Sequence, residues 1–177
     1  MKMFLTTGAL ICALLVSVSF TTSGQSKKKD KGDKETKGFR YEIEAMKTGV
    51  QGTYLIKVWS YSKQPIMPMD LAKKNAVHGI IFKGFPAKDG VPGQLALAAD
   101  PAVETEKAEF FDNFFKDGGE YLKYVTLVGD GQIAPEDRMK MGKEFKIGVV
   151  VSVDVAALRR ALEDAGIIKK LDNGFTS

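Results

Sequence analysis

The chain has 177 residues, 44% of them hydrophobic and 10% aromatic, with 26 Lys and Arg against 22 Asp and Glu. That composition excludes a disordered or fibrous protein and supplies apolar material for about one domain core. Setting aside Lys2 and residues 25–38, with six lysines and three acids, leaves residues 39–177 with 19 charges of each sign. A nucleic-acid-binding domain carries its positive charge on the folded surface, so nucleic acid is not an expected partner.

Residues 1–24 read as a signal peptide. Lys2 precedes an apolar run over residues 10–20, and Thr22 and Gly24 take the −3 and −1 positions, which places cleavage before Gln25. The run is shorter than the ~20 residues a bilayer span requires, so no transmembrane span is expected after processing. Cys12 is the one cysteine of the chain. The apolar run continues for eight residues beyond it, which argues against lipidation there. The processed chain then has no disulfide, thiolate metal site or cysteine nucleophile.

Residues 25–38 hold Lys27, Lys28, Lys29, Lys31, Lys34 and Lys37 and no apolar residue. They read as a disordered tail, a solvated spacer with weak attraction to anionic surfaces of about 1 kcal/mol per lysine close to a membrane. A single α+β domain is expected over residues 39–172, with a short C-terminal tail at 173–177.

Alternation from Phe39 through Tyr41, Ile43 and Ala45 predicts a strand, and residues 48–52 carry turn chemistry. A return strand follows through Tyr54, Ile56 and Val58 to Trp59 and Tyr61. The two aromatics read as core or cross-strand packing rather than as a platform for sugars or bases. Pro68 opens a helix running to about Lys83. Ala72, Ala76 and Gly79 on it are small enough to bring its backbone close to a sheet. Asp100 and Pro101 start a further helix with Val103, Phe110, Phe111, Phe114 and Phe115 on one face. Residues 121–128 read as a strand and residues 132–142 as an irregular excursion. Phe145, Ile147, Val149, Val151 and Val153 alternate over nine residues. Asp154 then caps a last helix with Val155, Leu158, Ala161, Leu162 and Ala165 inward, stopped by Gly166. The order β-β-α-α-β-β-α gives a two-layer α+β fold, a mainly antiparallel sheet with helices packed on one face.

No catalytic, cofactor-binding or metal-ligating set is expected. His78 is the one histidine and has no cysteine beside it in the processed chain, so a typical zinc site cannot form. It reads as a hydrogen-bonded residue at a helix edge. There is no Gly-x-Ser-x-Gly and no Gly-x-x-x-x-Gly-Lys-Ser/Thr. Two irregular stretches remain as interface candidates. Residues 84–93 offer Phe85 and Lys88 on a Gly- and Pro-shaped backbone, and residues 132–142 offer Arg138 and Met139.

Residues 72–77 (Ala-Lys-Lys-Asn-Ala-Val) after a strand, and residues 149–158 running from strand into helix, resemble small envelope α+β domains of outer-membrane lipoproteins and of flagellar assembly protein T. The resemblance covers about half of the processed chain. It implies a non-catalytic domain that binds another envelope protein, located in the periplasm or outside the cell. The alternative is a small ligand-binding or hydrolytic protein acting on envelope glycans. Export with leader removal predicts a secreted form whose intact mass begins at Gln25. A lipid adduct on Cys12 or a retained leader would overturn that expectation.

Overall fold

A computed structural model describes residues 40–50 and 52–170. The signal peptide, the lysine-rich tail and the C-terminal tail read from the sequence lie outside the described residues. The elements in chain order are β1 (Tyr41–Thr48), β2 (Thr53–Ser62), α1 (Met69–Phe82), α2 (Val103–Glu106), α3 (Ala108–Phe114), a 3-10 turn (Glu120–Tyr124), β3 (Val125–Leu127), β4 (Arg138–Met141), β5 (Glu144–Asp154) and α4 (Val155–Asp164). The sheet is antiparallel throughout, in the order β1-β2-β5-β3, with β4 also pairing β5. This is the α+β architecture expected from the sequence, with one strand more.

β5 organises the sheet. It pairs β2 along ten positions, from Phe145 opposite Ser62 to Asp154 opposite Thr53. Its other edge is shared, β3 lying against Val151–Val153 and β4 against Glu144–Ile147. The alternation read in the sequence is reproduced in burial, since Ile147, Val149, Val151 and Val153 are all essentially inaccessible. Ile56 and Val58 of β2 join them in the core, as do Leu158 and Leu162 of α4.

α1 lies on this apolar face. Ala72 and Ala76 are fully buried, and a Cβ added at Gly79 would stand 2.8 Å from Cδ1 of Ile43 on β1. The small-residue stripe is thus what lets helix and edge strand touch. α4 begins with the Asp154 carboxylate accepting from the Ala157 N–H at 2.8 Å, which satisfies one of the helix's unpaired donors. It ends with Gly166 at φ 66° and the Ile167 N–H returning to Leu162.

Three local expectations are corrected. The Phe-rich helix is interrupted at Lys107 (φ −110°, ψ 31°), dividing it into α2 and α3. Phe111 and Phe114 are buried, whereas Phe115 is half-buried against the core. Only the end of residues 121–128 is a strand, because residues 120–124 coil into the 3-10 turn that buries Tyr121. Residues 138–141 of the expected excursion form β4. Phe111 packs edge-on against Phe82 at 5.0 Å and against Phe110 at 5.2 Å. Phe111→Ala is expected to cost about 3–5 kcal/mol, from lost burial plus the cavity left behind. Chemical denaturation measures this, and an unchanged midpoint would refute the packing.

Candidate functional site

The side chains between the core positions of β2 and β5 face away from α1. On this outward face Trp59 stands opposite Gly148. A Cβ at Gly148 would lie 2.9 Å from Trp59 Cζ3, so the indole rests flat on the glycine backbone. Its Nε1–H donates to Glu44 on β1 at 3.0 Å. The ammonium groups of Lys57 and Lys146 each lie 5.3 Å from the ring centroid, within cation–π range. Cross-strand packing, the sequence reading of Trp59, is what its neighbours display.

Ion pairs lace this face across the strands. Lys146 of β5 reaches over β2 to Glu42 of β1 at 2.8 Å, and Arg40 reaches Glu144 at 2.5 Å. Lys57 of β2 reaches Asp137, just before β4, at 2.6 Å. Lys88 pairs with Glu44 from the 84–93 loop. The Lys146 ammonium holds the Glu42 carboxyl below the usual carboxylate range, and Lys88, then Trp59, do the same for Glu44. Exposed pairs of this kind are individually weak, because solvent screens them. Their larger effect is to hold the face electrically balanced. Val128 and Met139 are exposed at 38% and 39%, and Met141 at 55%. Met139 and Met141 stand opposite Lys146 and Glu144, and so share the face of Trp59.

The four residues proposed from the sequence as an interface fall in different settings. Lys88 borders the outward face on its β1 side and Met139 lies on it at the β4 side, while Arg138, opposite Ile147 on the same strand, belongs to the other face of that edge. Phe85 does not join them. Gly84 (φ 66°) turns the chain so that residues 85 and 94 pair, and the Phe85 ring is buried edge-on to Tyr54 at 5.3 Å. The loop is a short two-stranded ribbon with its aromatic underneath.

His78 sits deeper than a helix edge. It is 2% exposed and receives the Tyr41 hydroxyl at Nδ1, while Nε2 lies 3.0 Å from the Glu104 carboxylate. That pattern corresponds to the neutral Nε2–H tautomer. Phe82 and Phe115 pack against the ring at 4.7 and 5.7 Å. Burial pushes the His78 pKa down despite Glu104, and burial followed by the Glu104 charge pushes Tyr41 well above its usual value. The cluster links β1, α1 and α2, with partners 37 and 26 residues away that no local motif announces.

A shallow, open depression of about 400 Å³ on α2 and α3 is lined by Glu106, Lys107, Glu109, Phe110 and Asn113. Among the described residues, no three His, Cys, Asp or Glu side chains group to hold a metal ion, and no helix is long and apolar enough to cross a membrane. No protein-family model, curated protein or solved structure matches this chain.

The pKa directions give stability a two-stage dependence on pH. His78 is depressed from 6.5 in the fold, so the unfolded chain binds the proton first and stability falls as pH drops below 6.5. Glu42 and Glu44, held below 4.5, remove further stability as pH falls through 4.5 and below. Thermal melts across this range should show both stages. His78→Gln should flatten the slope between pH 6.5 and 4.5, and an unaltered slope would remove His78 from the account.

Proposed function

We propose that this chain is an exported, non-enzymatic protein of the cell envelope that serves as an interaction or assembly module for another envelope protein. The observation that carries this reading is the outward sheet face. It presents Trp59, Met139, Met141 and Val128 among ion pairs of both signs, on strands held rigidly by the core behind them. Mixed aromatic, methionine and charged surfaces of this kind suit protein partners, with the ring and the sulfur side chains as anchors. The signal-like residues 1–24 and the resemblance of residues 72–77 and 149–158 to small envelope domains support the same reading.

The reading assigns no chemical step to the Tyr41–His78–Glu104 cluster. Its phenol and imidazole are buried within the aromatic core, where a substrate would have to displace Phe82 or Phe115 to reach them. Its role is to fasten α2 to the body of the domain.

The test uses the residues that border the face and leaves Phe85 intact, since truncating a buried ring would confound binding with stability. The triple variant Lys88→Ala, Arg138→Ala and Met139→Ala alters exposed side chains, and its melting temperature should stay close to that of the parent. Recovery of cross-linked partners from the native envelope should be abolished. Recovery of the same partners at the same level would refute the proposed face.

A further inference from the structure

We infer that the free edge of β4 accepts an extended, acidic segment of a partner protein as an added strand, an inference that rests on the outward-face reading above. β4 pairs β5 on one side, and among the described residues no strand lies beyond it. All four of its residues are exposed. In an antiparallel ladder alternate residues turn their N–H and C=O groups away from the existing partner, so this edge offers backbone donors and acceptors.

The charges decide which strand fits. Four cations bordering the outward face are engaged, Lys57 by Asp137, Lys146 by Glu42, Arg40 by Glu144 and Lys88 by Glu44. Arg138, Lys140 and Lys143 make no ion pair among the described residues. Within residues 136–144, Glu136 is the one acid outside those pairs. The β4 edge therefore carries surplus positive charge, Arg138 and Lys140 lying on the sheet face opposite to that of Trp59. A second copy of this chain paired through the same edge would set these cations against their own counterparts, and like charges placed opposite each other destabilise a ladder.

The register refines the ligand's pattern. Arg138 and Lys140 stand opposite Ile147 and Phe145, on one face of the sheet, while Met139 and Met141 stand opposite Lys146 and Glu144 on the other. A complementary strand therefore alternates acidic residues, set against Arg138 and Lys140, with apolar residues set against the methionines. Main-chain bonds hold such a strand, and the alternating side chains select it. The opposite edge is less accommodating. β1 carries a bulge between Ala45 and Lys47, and the Lys83 ammonium occupies the Tyr41 carbonyl at 3.2 Å.

The probe is a fluorescently labelled, end-blocked octapeptide of alternating glutamate and valine, titrated into the full chain and followed by anisotropy. Saturable binding is expected. The double reversal Arg138→Glu and Lys140→Glu should weaken it at least about tenfold. A peptide of identical charge with alternate amides N-methylated should fail to bind, because it cannot complete the ladder. Arg138→Ala with Lys140→Ala serves as a milder variant, and unchanged melts confirm that both variants fold. The inference is overturned if the glutamate–valine peptide does not bind or charge reversal leaves its affinity unchanged. It also falls if the N-methylated peptide binds equally. Sedimentation showing a dimer that Arg138→Glu and Lys140→Glu dissolve would overturn it too, by making a second copy the occupant. Failure of the peptide while the triple variant still loses its envelope partner would sink strand addition alone and leave the proposed function standing.

Discussion

Everything in this domain depends on one strand with two opposed obligations. β5 must bury Ile147, Val149, Val151 and Val153 beneath α1 and α4, and its intervening residues are thereby committed to the other side of the sheet. A slip of one residue against β2 would send four branched side chains into water and bring Lys146 inward. The core thus fixes the register, and the register fixes the outward face. Gly148 meets Trp59 because Val149 is buried, and Lys146 can span to Glu42 because Ile147 is buried.

The two sides of the sheet are stabilised by different physics. Inside, apolar burial dominates, with polar groups admitted only when bonded, as Asn75 is to the Ser60 hydroxyl at 3.0 Å. His78 obeys the same rule more expensively. Its imidazole stays neutral because the aromatic surroundings disfavour charge more than the Glu104 carboxylate favours it. Outside, the ion pairs are individually weak, but three of them cross an intervening strand. They tie β1 to β5 and β2 to the segment before β4, at distances that backbone pairing alone does not connect.

Much of the scaffold was legible because its signals are local. The alternation of β5, the Asp154 cap, the Gly166 stop and the small stripe on α1 each follow from neighbouring residues, and each is realised as read. What escaped the sequence depends on residues far apart. β4 has the sequence Arg-Met-Lys-Met, too short and too charged to display a half-buried strand, and it is a strand because β5 offers it an edge. The break at Lys107 lies inside a pattern that continues helical spacing on both sides. Phe85 looked like a presented aromatic because Gly and Pro surround it, yet those residues fold the loop back and bury the ring. The partners of His78 come from β1 and α2, and the single histidine carried no sign of either.

The location of the proposed interface residues changes what binding there would cost. Loops are frequent binding elements, but a flexible loop loses conformational entropy when a partner fixes it. Here Arg138 and Met139 belong to a strand already held by β5, and Lys88 is steadied by its pair with Glu44 on a ribbon whose own strands are bonded. The surface is already organised by the strands that carry it, so contacts made by the proposed interface would be offset by little ordering of this chain. The same arrangement separates two tasks that compete in small domains. Burial by β5 and α1 supplies stability from one side of the sheet, while the other side retains a tryptophan and methionines that the core does not require. Substitutions at those outward positions can therefore alter recognition without passing through the fold, which gives a surface freedom to specialise while its scaffold stays fixed.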